Sequence, residues 1–257
     1  MCLILFGIET HPDFPFILAA NRDEFYTRPT RAMAFWNKRP GLLAGKDLEA
    51  GGTWMGVNRQ GRFAALTNYR DFSELKSNAP SRGDLVLRIL ESRMAVPDVL
   101  EAIDQTAAQY NGFNLIAGQG GNVFWYSNRK RTVVRIKPGI HGVSNHLLDT
   151  PWPKIVTGKA RFQSIVAKAP RDDDAMFGLL SDAIRPKDND LPDTGVGIEW
   201  ERILSPLFIR SATYGTRSST LMRIDKAGEI QIIERTFGPD PSQDVHDRRF
   251  TLTPEPS

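Results

Sequence analysis

The sequence predicts an α+β fold in which two antiparallel sheets lie face to face between two outer layers of helices. Three observations favour this four-layer αββα sandwich: short apolar runs occur as hairpins, paired helical segments interrupt them, and no strand-helix-strand period persists. A chain of 257 residues with 40% hydrophobic residues can bury the core of such a fold. We therefore expect one domain over residues 1–257.

The first part of the chain is predicted to consist mainly of strands. The apolar runs 2–8 and 14–21 flank the sequence ETHPD, whose proline and aspartate are typical of a turn. The runs 53–58 and 62–68 flank the sequence RQG in the same way. Each pair therefore predicts a hairpin.

A first pair of helices follows these strands. Ser81 is a candidate N-cap with Asp84 three residues later, and the apolar residues that follow continue the helix. Pro97 is placed to open a second helix, which Asn111 and Gly112 would end. Two consecutive helices indicate one helical layer.

Strands and a second helical pair make up the middle of the chain. Strands are predicted over 113–117, 123–127 and 132–136, separated by turn residues. Helices are predicted over 153–167 and 173–184. This second pair indicates the other helical layer.

The last third of the sequence predicts a loop, a hairpin and a tail. The polar segment 186–197, PKDNDLPDTGVG, is rich in proline and glycine and is typical of a loop. The runs 213–224 and 229–236 flank DKAG and predict a hairpin. From about residue 238 onward the sequence predicts a polar C-terminal tail.

Composition excludes several classes of function. A net charge of +3, with basic residues dispersed among 30 acidic ones, gives no stripe of charge for nucleic acid. One cysteine allows neither an internal disulfide nor a Cys-cluster metal site, and favours a reducing, cytoplasmic compartment. No stretch approaches the ~18 apolar residues of a membrane span.

The one cysteine, Cys2, directly follows the initiator methionine. Because aminopeptidases remove Met1 before a small side chain, the mature chain is expected to begin with a free Cys2 amine. That amine has an ordinary pKa of roughly 7.7–8.0 and the thiol one of roughly 8.5, so one residue can supply nucleophile and base. The alternative is that Cys2 is a small apolar residue opening a buried strand.

A cluster of polar residues ends the second predicted strand. In a hairpin this end lies beside the start of the first strand, so the residues Asn21, Arg22, Asp23 and Glu24 are expected near Cys2. Asp23 could hold the ammonium group, and Arg22 could stabilise a thiolate. The alternative is a strand exit in which Asn21 and Asp23 cap a turn and Arg22 pairs with Glu24 in solvent.

Three further polar residues lie at apolar strands. Asn68 ends RFAALTN and Asn145 follows IHGVS, and such amides are natural donors to an oxyanion. Arg217 lies within YGTRSST and could point into a site from the last hairpin. The alternatives are turn asparagines and a solvent-facing arginine.

Four longer motifs then carry a family resemblance: MCLILFGIE, ANRDEFYTRPT, GGTWMGVNRQGRFAALTNYR and HGVSNHLLDTPWPK. Together the motifs resemble the NRDE-motif family of transport and Golgi organisation proteins, from Cys2 to about Phe237. That family is similar to the N-terminal nucleophile (Ntn) hydrolases. The resemblance implies an αββα sandwich, in agreement with the layers predicted above.

More distantly, the chain resembles the Ntn enzymes of the choloylglycine hydrolase and penicillin V acylase family. The resemblance implies that Cys2 is the nucleophile, that Asp23 contacts its amine, and that Asn68, Asn145 and Arg217 complete the site.

Arg22 departs from that pattern. In those enzymes the arginine stands a few positions before the aspartate, whereas Arg22 is adjacent to Asp23 and should leave the strand on the opposite face.

Two functions stay open at this stage. One is an amidohydrolase that acts on a linear amide and needs no metal or cofactor. The other is a carrier, since NRDE proteins have been linked to haem trafficking and to lipid or acyl-coenzyme A handling; His146 is then the candidate haem ligand. Trp54 could line the ligand pocket in either case, although packing in the core is the alternative.

Overall fold

The computed structural model describes residues 3–71, 75–238 and 245–255. Thirteen strands and five α-helices are formed within these residues. The strands are β1 (Leu3–Ile8), β2 (Phe16–Phe25), β3 (Thr30–Trp36), β4 (Arg39–Asp47), β5 (Met55–Asn58), β6 (Phe63–Asn68), β7 (Phe113–Gln119), β8 (Asn122–Ser127), β9 (Thr132–Arg135), β10 (Gly139–Val143), β11 (Tyr214–Ile224), β12 (Ile230–Phe237) and β13 (Val245–Leu252). The helices are α1 (Gly83–Glu91), α2 (Val96–Asp104), α3 (Pro153–Lys168), α4 (Asp173–Leu180) and α5 (Ile198–Leu204).

The strands form two sheets. The first, sheet A, has the order β10-β1-β2-β11-β12-β13, and the second, sheet B, runs β3-β4-β5-β6-β7-β8-β9. Neighbouring strands pair antiparallel in both sheets. The prediction of two antiparallel sheets is confirmed.

Alternating side chains build the four layers. Along β1, Ile4 and Phe6 belong to an apolar cluster shared by the two sheets, whereas Leu3 and Leu5 pack into a second cluster with α3 and α4. A third cluster joins the outer face of sheet B to α1 and α2. Three buried apolar layers between four structural layers are the signature of an αββα sandwich, so the predicted fold class is confirmed.

Sheet A and sheet B are also tied by polar contacts at β3. The register of β3 on β4 shifts between Arg31 and Ala34, as in a β-bulge. Within this irregularity the Met33 N–H donates to Glu234 Oε2 at 2.5 Å, and Arg248 donates to the Met33 carbonyl at 3.4 Å. Two side chains of sheet A therefore hold the backbone of an edge strand of sheet B.

Several element boundaries differ from the predictions. Helix α1 begins at Gly83 after Arg82, so Ser81 is not its N-cap, although the Ser81 Oγ accepts a bond from the Gly83 N–H at 3.3 Å. Helix α2 ends at Asp104 and is followed by a short 3₁₀ turn before Gly112. Helix α4 ends at Leu180 rather than at residue 184.

The predicted polar tail is wrong for residues 245–252. These residues form β13, which pairs with β12 along its length, for example Arg249 opposite Ile233. Most β13 side chains are exposed, so an apolar pattern could not reveal the strand. None of the helices in the described ranges is long and apolar enough to cross a bilayer.

Candidate functional site

A cavity of about 1000 Å³ opens where β2 and β6 end and α1 begins. Its wall includes six of the residues that the sequence singles out: Arg22, Asp23, Glu24, Trp54, Asn68 and Asn145. They come from β2, from the segment before β5, from the end of β6 and from the loop after β10. The fold thus collects polar groups that are up to 123 positions apart in the chain, counting from Arg22 to Asn145.

The pairing of β1 with β2 sets the inner end of this cavity. Leu3 lies opposite Asn21, which is followed directly by the cavity residues Arg22 and Asp23. The expected nucleophile Cys2 lies outside the described residues. Its covalent neighbour Leu3 is the first described residue, and it pairs with the residue that directly precedes Arg22 and Asp23.

Asp23 is held in a hydrogen-bonded chain. Its side chain is only 4% exposed, and Oδ1 accepts from the Thr216 hydroxyl at 2.6 Å. The same hydroxyl accepts from the Ile209 N–H at 2.9 Å. A β-bulge between Thr216 and Ser218 shifts the register of β11 on β2 next to this contact. A buried carboxylate with a fixed orientation results.

Arg22 leaves β2 on the opposite face from Asp23 and points between the sheets. Its guanidinium lies over the Trp54 ring, 4.2 Å from the ring centroid, and Nη2 is 3.8 Å from Glu24 Oε2. Burial lowers the pKa of Arg22 from its ordinary value. The Trp54 ring fits only because residue 45 is glycine, since a Cβ there would lie 2.2 Å from the ring.

Asn68 and Asn145 come together at the cavity wall. The Asn145 amide donates to the Asn68 carbonyl at 3.1 Å, and Asn145 Oδ1 accepts from Arg70 at 3.1 Å. The Arg70 N–H donates in turn to the Asn145 carbonyl at 2.7 Å. The Asn145 side chain thus fixes the backbone at Asn68, which itself lines the cavity.

Arg70 and Glu201 are site residues that sequence reasoning missed. Their side chains are 6% and 4% exposed and form an ion pair with a distance of 2.9 Å. Glu201 also accepts from the Thr194 N–H at 2.8 Å. The pair anchors α5, which was not predicted and which brings Trp200 to the cavity. Arg70 could have been predicted from its place near Asn68 in the sequence LTNYR. No local sequence pattern indicates the role of Glu201.

Three predicted residues are absent from the cavity wall in the described part of the chain. Asn21 faces the helical layer, where its amide donates to the carbonyls of Leu180 and Leu207, each at 2.8 Å. Arg217 donates to the carbonyls of Phe25 and Tyr26 at 3.0 and 3.2 Å. Both side chains brace the end of β2 from outside the cavity.

His146 is the third of these residues. Its Nδ1 lies 2.8 Å from the Thr150 hydroxyl, and its ring packs between Tyr69 and Trp152. Burial lowers the pKa of His146. The imidazole therefore lies behind the residues that line the cavity and is not one of them.

Glu234 is a buried acid behind the same wall. Its side chain is fully buried, and burial raises its pKa from an ordinary 4.5 to about 7. The folded state therefore holds this proton more tightly than the unfolded state. The free energy of unfolding therefore falls as the pH rises from about 4.5 to about 7, and it stays lower above that range.

Glu234→Gln is expected to raise the free energy of unfolding at pH 8 by about 3 kcal/mol, because glutamine cannot ionise. At pH 4.5 the same substitution should change it little. Urea unfolding at both pH values measures the difference, and Glu229→Gln, directly before β12, is the matched control. An equal effect of Glu234→Gln at the two pH values would contradict the burial of an ionising carboxylate.

Comparison with known proteins agrees with this architecture. The chain matches the family model described as Transport and Golgi organisation 2 over residues 1–239. It is 38% identical to the Transport and Golgi organization protein 2 homolog of Bos taurus, covering 95% of this chain and 96% of the relative. It is 34% identical to the Homo sapiens homolog, covering 92% and 93%.

A solved structure supports the fold. The C2A mutant of conjugated bile acid hydrolase from Clostridium perfringens superimposes with a TM-score of 0.52 at 11% identity, covering 96% of this chain and 92% of the hydrolase. At that identity the likeness concerns the fold alone, which is that of the Ntn hydrolases. Together with the family match over nearly all of the residues that form the two sheets, these findings show that the chain belongs to the Transport and Golgi organisation 2 family.

Proposed function

We propose that this protein is an amide hydrolase whose nucleophile is Cys2. The observation that carries the proposal is the register of β1 on β2, which sets Leu3 opposite Asn21. Cys2 is bonded to Leu3, with adjacent Cα atoms about 3.8 Å apart. In this proposal the Cys2 thiol acts beside Arg22 and the Cys2 amine beside Asp23, and both of these residues line the cavity. The fold likeness to a bile acid hydrolase supports this choice of chemistry.

The proposed reaction proceeds through a thioester. After removal of Met1, the Cys2 amine takes the thiol proton and the sulfur attacks the amide carbonyl carbon. The tetrahedral intermediate collapses, the carbon–nitrogen bond breaks, and the departing amine takes the proton from the Cys2 ammonium. The Cys2 amine then deprotonates a water molecule, which attacks the thioester carbonyl carbon; the carbon–sulfur bond breaks, the sulfur takes the proton back from the Cys2 ammonium, and a carboxylic acid is released.

The surrounding residues have distinct roles in this proposal. Asp23, fixed by Thr216, orients the ammonium group of Cys2. Asn68 donates to the oxyanion, and such a donor typically contributes about 3–4 kcal/mol to transition-state stabilisation. Asn145 keeps Asn68 in place, and Arg22 supplies positive charge beside the thiolate.

Cys2→Ala is expected to abolish hydrolysis of N-acyl amide substrates and to leave the unfolding midpoint within about 2 °C of wild type, because the exchanged side chains are both small. Intact mass should first show that Met1 is absent from the wild type. A second variant with leucine inserted before Cys2 keeps the thiol but converts its amine into an amide, and should also be inactive. Turnover in either variant, with a panel that the wild type hydrolyses, would refute the mechanism.

A carrier of an acyl-coenzyme A or another lipid is the second candidate. The observation that favours it is the mixed wall of the cavity: Phe25, Leu75 and Trp200 are exposed on its rim, whereas Arg22 and Arg70 lie deeper. Such a wall suits a ligand with one apolar and one anionic end. If binding is the function, Cys2→Ala should retain the affinity of the wild type for acyl-coenzyme A, and no product should form with either protein.

Binding of haem in the same cavity remains a prediction. In this arrangement His146 does not line the cavity and its Nδ1 faces Thr150, so it would not ligate a haem held there. A Soret titration of wild type and His146→Ala tests the ligand directly. Equal spectra would remove His146 from haem binding.

A further inference from the structure

We propose that Glu234 is a positioning residue that holds the Arg22 guanidinium against Trp54 at the inner end of the cavity. This inference rests on the proposed function, because it says that the charge of Glu234 positions Arg22 in the proposed hydrolase site. It concerns three strands of sheet A, β2, β11 and β12, which lie side by side behind the cavity.

The strand registers place the residues concerned on one face. Ser218 lies opposite Arg22 on β2 and opposite Thr236 on β12, and Glu234 is two positions from Thr236. Side chains two positions apart on a strand share a face. Glu234 and Ser218 are therefore diagonal neighbours, and both share the inward face with Arg22.

Three polar atoms on this face are buried and lack a hydrogen-bond partner in the described part of the chain. They are Arg22 Nη1, Ser218 Oγ and Glu234 Oε1. Buried polar groups are rarely left in this state, and a cation, a hydroxyl and a carboxylate on neighbouring strands complement one another. These three atoms are therefore complementary polar groups on the face that Arg22 and Glu234 share.

Glu234 is held by a backbone hydrogen bond, whereas Arg22 Nη1 has no hydrogen-bond partner in the described part of the chain. The Met33 N–H of β3 donates to Glu234 Oε2 at 2.5 Å. The charged groups acting on Glu234 are Arg248 on β13 and Arg22 on β2, and β11 contributes Ser218 to the same face. Arg22 itself has Glu24, which is 25% exposed, at 3.8 Å, and the charges of Asp47, Arg217 and Arg28 also act on it. Because Glu234 is fully buried and Arg22 is only 4% exposed, solvent screens the charge of Glu234 on Arg22 less than it would at the surface.

The positioning of Arg22 should depend on whether Glu234 is protonated. Burial raises the pKa of Glu234 to about 7, so the carboxylate gains its charge close to neutral pH. Above that pH its charge attracts the guanidinium towards the interior and over Trp54. Below it, the attraction is lost and Glu24 at the mouth competes for Arg22.

The direct test is the ¹⁵N resonance of Arg22 Nε, assigned by its loss in Arg22→Lys. In the wild type this resonance should shift with an inflection near pH 7 that is missing in Glu234→Gln, whereas any inflection caused by the Cys2 amine should be the same in both proteins. Glu229→Gln, a distant substitution of the same type, should keep it. An unchanged inflection in Glu234→Gln, or none in the wild type, would overturn the proposal.

The second readout is the ratio of kcat/KM between Glu234→Gln and wild type as a function of pH. The ratio cancels the titration of the Cys2 amine, which both proteins share. It should fall from near 1 at pH 5.5 to about one tenth at pH 8.5, the loss expected for one charge interaction in the interior. A ratio independent of pH contradicts the positioning role.

The two readouts separate the two proposals. An inflection at Arg22 without any hydrolysis in the wild type refutes the hydrolase and keeps the positioning role. Hydrolysis with no effect of Glu234→Gln on either readout refutes the positioning role alone.

Discussion

Glu201→Ala is expected to lower the free energy of unfolding by about 3–5 kcal/mol, because it leaves the charge of Arg70 buried without its partner. Both side chains of this pair are almost fully buried, and their distance is 2.9 Å. Glu201 also holds Thr194, so the loop before α5 loses its anchor at the same time. The expected loss is therefore much greater than for an ion pair at the surface.

Chemical denaturation of the wild type and Glu201→Ala measures this effect. The matched control is Glu199→Ala on the same helix, whose side chain is 77% exposed and pairs with Arg202. That control should change stability by no more than about 1 kcal/mol. A double variant, Arg70→Met with Glu201→Leu, should recover much of the loss, since no unpaired charge remains. Equal effects of Glu201→Ala and Glu199→Ala would contradict a buried pair.

Trp54→Ala is the other substitution with a large expected effect, a loss of about 3–5 kcal/mol. The Trp54 ring is 5% exposed, packs in the cluster between the sheets and lies under Arg22. Removing it leaves a void beside Gly45 and takes away the surface on which the guanidinium rests.

Thermal and urea unfolding check this prediction. Trp200→Ala, at the rim and 40% exposed, is the control and should cost no more than about 1 kcal/mol. Trp54→Phe keeps an apolar ring and should recover part of the stability. An unfolding midpoint of Trp54→Ala equal to that of the wild type would contradict the buried position of the ring.

Local patterns in the sequence predicted the central part of the fold. The hairpins β1–β2, β5–β6 and β11–β12 were found because apolar runs flank short turns that favour their formation. The same reasoning put Asn21 to Glu24 next to the start of the first strand, and the observed register has Leu3 opposite Asn21. Antiparallel pairing within a hairpin is local, so the sequence can predict it.

Local patterns could not predict the edge strands or the contacts between residues that are far apart in the chain. Apart from the buried Met33, β3 has only half-buried and exposed residues, and β13 is mainly exposed, because each strand lies at the edge of a sheet. Arg70 finds Glu201 across 131 positions of the chain. The orientation of Asn21 towards the helical layer depends on the carbonyls of Leu180 and Leu207, which no local signal places there. These features are decided by tertiary packing.

The position of β13 has a consequence for the order of events during synthesis. β13 leaves the ribosome after the other described strands of sheet A, yet it completes one side of that sheet, and Glu255 beyond it donates through its N–H to the Arg59 carbonyl at 2.8 Å. Until β13 has been synthesised, the backbone of β12 offers unpaired hydrogen-bonding groups to any other nascent chain. Premature termination just before Val245 would therefore yield a polypeptide prone to edge-to-edge association, even though every residue around the cavity had already been made.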